Sequence, residues 1–326
     1  MRNRQSVFLG LVCGGLTLLC SFTASALAAE FCIPCDEGAL REALQKAAQA
    51  GGGRITFEPC GGILRITDTI KFVGNDVIID GEDRNITVKY AGPDDCSQKE
   101  GQDRFIEIYG NRNVVRNLTL DHFPDGIHVQ QGFDNVIENI RFPVVCEDAV
   151  TNSGMGFEAF RTIIRNCYFE SSADKAVMIN NGGSVTVENC EFVNCQQPVR
   201  AGGKSGRHTV RGCKFRGAKS TGPRFNGGQE GMVIVFENNT VEDAQFGIRI
   251  YGNVEAIVRN NSFQSRPSDG CSVYIFDNAR VRFEGNTVQA GGKRGVLVQG
   301  FAKVDLGGGR VVVTGDSEPS RGLNIL

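Results

Sequence analysis

A short motif repeats along most of this chain, and it constrains the fold more than any other feature. The motif is Asn or Gly, two further residues, and then an apolar side chain. Its eight copies begin at Asn117, Asn139, Asn166, Asn189, Gly212, Asn238, Asn260 and Gly285. Successive copies lie 22, 27, 23, 23, 26, 22 and 25 residues apart. A period this regular indicates stacked repeats rather than the two or so globular domains that the length would suggest.

A second motif follows in most repeats and consists of two apolar residues on either side of a third residue. Examples are Ile127-His128-Val129, Val177-Met178-Ile179, Ile248-Arg249-Ile250, Val273-Tyr274-Ile275 and Val296-Leu297-Val298. Strand periodicity turns the flanking side chains inward and the middle one outward. Each repeat suits one turn of a three-sided coil, and stacked coils lie about 4.8 Å apart. The sequence therefore predicts an all-β, right-handed, single-stranded parallel β-helix.

The segment before the repeats predicts a cap for this solenoid. At about residues 36–50, Leu40, Leu44 and Ala47 share a helical spacing, and three glycines follow from Gly51. A short helix there would cover the apolar edge of the first coil. We expect a single β-helix domain over residues 29–326 with this N-terminal capping helix.

Residues 1–28 have the features of a secretory signal peptide. Arg2 and Arg4 precede an apolar run from Val7 to Leu19, and Ala26-Leu27-Ala28 is a small-residue cleavage site. The apolar run is too short to span a bilayer comfortably. We expect a secreted protein, extracellular or periplasmic, with no membrane attachment after cleavage.

Charge and cysteine content narrow the class further. Loss of the leader takes the formal net charge from −2 to about −4, which disfavours a nucleic-acid partner. Ten of the 12 cysteines lie after residue 28, and an exported protein can oxidise them, in a pairing that the sequence leaves open. Cys167, Cys190 and Cys213 hold one equivalent position and predict a buried, reduced ladder. The segment Cys32 to Cys35 lacks a second CxxC, which favours a disulfide or no special role over a zinc or redox site.

Four consecutive repeats carry polar residues at the second motif. They read Asp125-Gly126-Ile127-His128, Asp148-Ala149-Val150-Thr151, Lys175-Ala176-Val177-Met178 and Gln197-Pro198-Val199-Arg200. In register, the four first residues form a column at the edge of one sheet, and the four last residues form an adjacent outward column. Glu147 adds a third carboxylate beside the first column. Later repeats lack such a column and have Phe246, Cys271 and Arg294 at its place.

Three carboxylates within two coils repel one another, which raises their pKa values unless a cation neutralises them. Calcium accepts irregular oxygen coordination and fits better than magnesium, which demands a stricter octahedron. Lys175 and Arg200 place positive charge just beyond the acids, as an anionic sugar chain would require. Each residue also has an ordinary reading, since Asp125 before a glycine is a common turn signal. Their clustering on adjacent coils favours a functional site.

At these segments the chain resembles the calcium-dependent pectate lyases with a parallel β-helix fold, most closely polysaccharide lyase family 3. The resemblance covers about residues 110–215, including residues 146–151, Asp174-Lys175 and residues 180–182. It implies that Asp125, Glu147 and Asp148 bind Ca²⁺, and that Lys175 and Arg200 serve substrate and catalysis. Where that family has a second lysine, this chain has Gln197, so its choice of uronate stays open. We expect Gln197 and His128 to contact substrate with Lys175.

The implied reaction is β-elimination on an acidic polysaccharide such as pectate. Calcium and Lys175 would stabilise the charge that develops as the proton beside the uronate carboxylate leaves. Arg200 would accept that proton, although a guanidinium with a pKa above about 12 is a poor base.

Three alternatives remain open. A hydrolase of the polygalacturonase type needs an acid–base pair about 6.5–9.5 Å apart. Its Gly-His-Gly and Arg-Ile-Lys motifs are absent from this sequence. An alginate lyase or epimerase requires the same carboxylate neutralisation. A non-catalytic β-helix could bind glycan through an exposed region at Tyr251, Tyr274 and Phe276. We expect a monomer.

Overall fold

The computed structural model describes residues 29–59, 61–93, 96, 103–153, 161–172, 174–180, 182–203, 205–266, 270–289, 294–305, 312–314 and 323–325. The leader expected at residues 1–28 lies outside them. In the described ranges, no helix has the length and apolar character that a membrane span requires. The division of the chain at residue 28 stays a prediction.

The described residues contain one helix, α1 (Glu37–Gln49), which lies between the first and second of a series of strands. The strands are β1 Ala29–Ile33, β2 Gly53–Phe57, β3 Ile63–Ile66, β4 Ile70–Val73, β5 Val77–Asp80, β6 Thr87–Tyr90, β7 Arg104–Tyr109, β8 Val114–Arg116, β9 Thr119–Asp121, β10 Asp125–Gln131, β11 Asn135–Glu138, β12 Arg141–Phe142, β13 Val150–Asn152, β14 Arg161–Arg165, β15 Tyr168–Glu170 and β16 Lys175–Asn180. They continue as β17 Ser184–Glu188, β18 Glu191–Val193, β19 Gln197–Gly203, β20 Arg207–Arg211, β21 Lys214–Arg216, β22 Arg224–Glu237, β23 Thr240–Ala244, β24 Phe246–Arg259, β25 Ser262–Ser265, β26 Cys271–Ile275, β27 Arg280–Glu284, β28 Thr287–Gln289, β29 Arg294–Val298, β30 Lys303–Asp305, β31 Val312–Thr314 and β32 Leu323–Ile325.

These strands stack in parallel register on three faces. Face A comprises β4, β7, β10, β13, β16, β19, the first parts of β22 and β24, β26, β29 and β32. Face B comprises β1, β2, β5, β8, β11, β14, β17, β20, the last parts of β22 and β24, β27 and β30. Face C comprises β3, β6, β9, β12, β15, β18, β21, β23, β25, β28 and β31. The predicted three-sided parallel β-helix is confirmed.

The repeated Asn or Gly turns the chain from face B to face C. All eight first residues of the motif have positive φ, from 53° at Asn139 to 63° at Gly212. Asparagine and glycine occupy this left-handed region more readily than other residues. At Gly212 a side chain would also collide, since a Cβ would lie 2.6 Å from Oδ1 of Asn189. Turn geometry therefore explains the repeat.

The apolar residue that ends the motif builds a ladder of aromatic rings in the core. Phe142, Phe169, Phe192 and Phe215 are all at most 1% exposed. Their ring centroids follow one another at 4.8, 4.7 and 4.8 Å. That distance is the spacing of paired strands, so each coil contributes one ring to a continuous stack.

The residue after each left-handed turn forms a second interior ladder. Cys167, Cys190 and Cys213 are free thiols, at most 2% exposed, which confirms the predicted reduced ladder. Burial raises the pKa of Cys190 and Cys213 well above the usual thiol value. In the following coils the position changes to the buried residues Asn239, Asn261 and Asn286. Each of these asparagines accepts a backbone N–H from the preceding coil at 2.8–2.9 Å.

The helix caps the N-terminal end as expected. The Asp36 carboxylate accepts the N–H of Ala39 at 2.9 Å, which begins the helix. Its buried face consists of Leu40, Ala43, Leu44 and Ala47 and belongs to the main apolar core. Strand β1, which the sequence did not predict, precedes the helix and pairs with β2.

Cys32 and Cys35 are not bonded to each other. Cys32 is free and exposed, whereas Cys35 is disulfide-bonded. A further disulfide joins Cys96 to Cys146, with Cα atoms 5.1 Å apart. Because Cys146 immediately precedes Glu147, this bond fixes the chain beside the expected site.

Candidate functional site

The four first residues of the polar segments lie together at the edge of face A. Lys175 pairs directly with Gln197 in the strand register. The Asp125 carboxylate accepts the backbone N–H of Asp148 at 3.2 Å, and the Asp148 carboxylate accepts that of Lys175 at 3.1 Å. Each aspartate therefore bonds to the next coil. We call Asp125, Asp148, Lys175 and Gln197 the edge column.

Two cations contact the acids of the edge column. Lys175 Nζ lies 3.4 Å from Asp148 Oδ1 and also pairs with Asp174. Arg104 Nε lies 3.2 Å from Asp125 Oδ2, and the same guanidinium pairs with the buried Glu107. Arg104 and Glu107 were missed from the sequence. Extending the alignment back by one coil would have found them, since Arg104 pairs with Asp125 in register.

The pKa values of Asp125, Glu147 and Asp148 are raised even though Lys175 and Arg104 lie close by. Burial raises the pKa of Asp148 to about 6, and the charges of Asp125 and Asp174 act in the same direction against Lys175. Burial also raises the pKa of Asp125. For Glu147, burial and the charges of Asp125 and Asp174 raise the pKa. The ionised cluster is therefore only partly neutralised by Lys175 and Arg104.

The described acidic side chains are suitable ligands for Ca²⁺, but they do not already form a complete coordination shell. Incompletely neutralised carboxylate oxygens are the ligands that a hard divalent cation prefers. Among the residues that the structure describes, however, no group of three or more acidic, histidine or cysteine side chains is already arranged to hold a metal. Asp125 and Asp148 each bond a backbone N–H and a cationic side chain. A bound cation would therefore compete with Arg104 and Lys175 for these oxygens.

The adjacent outward column has the expected register, from His128 through Thr151 and Met178 to Arg200. Its first three members are nevertheless buried, at 7–8% exposure. His128 is covered because its ring nitrogens contact Ser153 Oγ at 2.7 Å and Gln130 Nε2 at 3.3 Å. Burial, helped by the charge of Arg104, lowers the pKa of His128 to about 4. Any contact it makes with substrate would be through a neutral imidazole.

Arg200 and Gln197, at the end of this site, retain unused polar atoms. Within the described part of the chain, Arg200 Nε and Gln197 Oε1 are buried without a hydrogen-bond partner. The amide nitrogen of Gln197 lies 3.4 Å from Asp174 Oδ1. Buried polar atoms without partners are uncommon and call for an explanation. A ligand that bonds to both side chains would satisfy them.

The aromatic region at Tyr251, Tyr274 and Phe276 is less exposed than predicted. Tyr251 is buried at 9% exposure rather than exposed, and Tyr274 and Phe276 are half-buried. The three rings are stacked, with the Phe276 centroid 4.5 Å from Tyr251 and 4.4 Å from Tyr274. Tight stacking across neighbouring coils covers the rings. At the edge of face A, Phe246, Cys271 and Arg294 occupy the later coils as expected.

The fold and the repeat define the class. The family model described as a right handed beta helix region matches residues 104–263 and 199–312, together more than half of the chain. The chain belongs to this family, which also confirms the predicted right-handed fold.

Among curated proteins, the chain is similar to the probable pectate lyase E of Aspergillus flavus. The two are 28% identical over 127 residues, which make up 38% of this chain and 48% of that protein. The match thus spans about half the length of the curated relative.

Solved structures with a similar fold include an endo-xylogalacturonan hydrolase from Aspergillus tubingensis. It has 13% identity and a TM-score of 0.46, over 91% of this chain and 99% of that one. A hyperthermoactive exopolygalacturonase from Thermotoga maritima has 14% identity and a TM-score of 0.48, over 83% and 88% of the two chains. Likenesses at this identity concern the fold alone.

Proposed function

We propose that this protein is a secreted, calcium-dependent polysaccharide lyase that cleaves a polyuronate, of the pectate or polygalacturonate class, by β-elimination. The observation that carries the proposal is the edge column, where acids on two coils are followed by Lys175, with Arg200 in the adjacent outward column on the next coil. The partial similarity to a protein named as a probable pectate lyase supports the same class.

In this proposal the substrate carboxylate would lie between the acidic cluster and the positively charged side chains of Lys175 and Arg200. Asp125, Glu147 and Asp148 would hold Ca²⁺, which when bound supplies positive charge to the uronate carboxylate. Lys175, held by Asp148 and Asp174 at 12% side-chain exposure, adds a fixed positive charge on the next coil. Fixed charges stabilise a developing anion more than water does, because they need no reorganisation. Gln197 and His128 would position the sugar from either side.

Arg200 is the proposed proton acceptor. Its Nε is already removed from water and lacks a partner among the described residues. A bound substrate would supply the hydrogen-bond partner that this nitrogen lacks.

An ultraviolet elimination assay on polygalacturonate and on alginate tests this function. Elimination creates a conjugated double bond, so ultraviolet absorbance should rise in the presence of calcium. The increase should stop when a chelator is added. New reducing ends without absorbance would instead identify a hydrolase. Binding without turnover on either polymer would identify a non-catalytic glycan-binding β-helix.

Secretion and a monomeric state belong to the same proposal. The leader predicts that the mature protein begins near Ala29, which N-terminal sequencing of protein from the culture medium or periplasm would test. Sedimentation equilibrium would test the expected monomer.

A further inference from the structure

Three arginines follow one another in the outward column of face A. Arg200 pairs in register with Arg224, and Arg224 with Arg249, on consecutive coils. Neighbouring strands lie about 4.8 Å apart, so like charges are held at close range. Cross-strand pairs of like charge destabilise a sheet. An arrangement of this kind calls for an anionic partner.

These arginines differ from most others on the solenoid in having no acidic partner. Elsewhere, arginines such as Arg211 and Arg259 pair with a glutamate on the preceding coil. Among the described residues, no carboxylate lies within ion-pair distance of Arg200, Arg224 or Arg249. The Nε of Arg249, like that of Arg200, is buried without a hydrogen-bond partner in this same part of the chain. The site therefore carries charge that the described residues leave uncompensated.

Aromatic rings hold the two later guanidinium groups in place. Arg224 Nε donates to the Tyr251 hydroxyl at 2.5 Å, and its guanidinium lies 5.1 Å from that ring centroid. The Arg249 guanidinium lies 5.0–5.9 Å from the rings of Phe246, Tyr251, Tyr274 and Phe276. Cation–π contacts of this kind orient an arginine without neutralising it. The guanidinium donors are thus fixed but remain available to an anion.

We propose that Arg224 and Arg249, with the half-buried rings of Tyr274 and Phe276, form an additional binding site for an anionic polysaccharide. The site continues along face A from Arg200, so one uronate chain would cross several coils and place successive carboxylates near successive arginines. Guanidinium groups bind carboxylates through paired hydrogen bonds, and the exposed edges of the two half-buried rings would contact the sugars. The inference rests on the proposed function for its substrate class.

Affinity electrophoresis in gels that contain polygalacturonate tests the site. The double variant Arg224→Gln, Arg249→Gln should bind about tenfold more weakly or worse, the loss expected for charged hydrogen bonds. Its retardation should also depend less on salt, because salt screens the interaction that was removed. The matched control is Arg280→Gln, which removes an exposed arginine from face B. Gels with methyl-esterified polygalacturonate, which lacks the charges, should retain wild type and double variant equally weakly.

Chelator in the gel keeps this test apart from that of the proposed function. The proposed elimination does not proceed without calcium, so a loss of lyase activity cannot be mistaken for a loss of binding. Wild-type protein that ignores polygalacturonate, or a double variant that binds it as tightly as Arg280→Gln, would overturn the inference. Equal thermal unfolding temperatures show that the variant is folded. If the double variant is unstable, Arg224→Gln alone decides, with Arg224→Lys expected to restore part of the affinity.

Discussion

The carboxylate of Asp148 accepts the backbone N–H of Lys175 at 3.1 Å, and the ammonium group of the same lysine lies 3.4 Å from the same oxygen. One carboxylate thus fixes both the strand that carries Lys175 and its side chain. Asp125 holds Asp148 in the same manner through a backbone N–H. Structural and chemical roles coincide in these aspartates, and suitable substitutions can separate them.

At Asp148, Asn and Ala should have different effects. Asp148→Asn keeps an oxygen for the N–H of Lys175 but removes the charge, so the protein should stay folded while elimination falls about a hundredfold or more. Asp148→Ala also leaves that N–H without its acceptor and should cost about 1–3 kcal/mol of unfolding free energy. Urea unfolding and the ultraviolet assay measure the two effects. Full activity in a folded Asp148→Asn protein would remove the carboxylate from the site.

Replacement of Arg200 should affect turnover more than binding. Because Arg200 is the proposed proton acceptor, the Arg200→Lys and Arg200→Ala variants should have a kcat about a hundredfold lower or worse. Polygalacturonate binding should weaken much less, because Arg224 and Arg249 remain in the same column. Comparison of kcat with KM separates these outcomes, and Arg280→Gln is the control. Unchanged elimination rates in Arg200→Ala would show that the assigned role is wrong.

The aromatic ladder should dominate the stability of the middle coils. Phe192 is 1% exposed and lies between two rings at 4.7 and 4.8 Å. Phe192→Ala should lower the unfolding free energy by about 3–5 kcal/mol through lost packing and a cavity. Phe301→Ala, at a residue that is 84% exposed, should change it by less than about 0.5 kcal/mol. Similar losses for the two variants in denaturant unfolding would contradict this account of the core.

Acid should destabilise the fold through His208. Burial lowers the pKa of His208 from 6.5 to about 4, so the unfolded chain binds its proton at a higher pH than the folded one. The stability that the neutral imidazole provides is complete above pH 6.5 and declines as the pH falls towards 4, by about 3 kcal/mol in all. His208→Gln should flatten the pH profile of the urea midpoint in that range. A profile as steep as that of wild type would refute the assignment.

Much of the fold could be predicted because the period and the turn chemistry agree. Left-handed turns at Asn117 and its equivalents set the coil length, and strand alternation set which side chains face the core. The residue after each turn was harder to interpret in the later coils. Asn239, Asn261 and Asn286 are polar, yet they are buried because each bonds the backbone of the coil before it. Such satisfaction depends on stacking, which a local pattern does not show.

The candidate site was predictable in its register and less so in its surroundings. The repeat was sufficient to align Asp125, Asp148, Lys175 and Gln197. Arg104 lies before the first copy of the motif and was therefore missed. The burial of His128 comes from Ser153 and Gln130, whose side chains meet only in the folded coil. The arginine column beyond Arg200 likewise depends on the pairing of two strands of 14 residues each.

Mass analysis of the products from a polygalacturonate digest tests the central claim most directly. β-Elimination adds no water, so each new non-reducing end should be unsaturated and lighter by one water molecule than a hydrolysis product. We predict such unsaturated fragments with calcium present and none in chelator, and the Arg200→Ala variant should form them about a hundredfold more slowly or worse. Hydrated fragments, or unsaturated fragments that Arg200→Ala forms at the wild-type rate, would contradict the account.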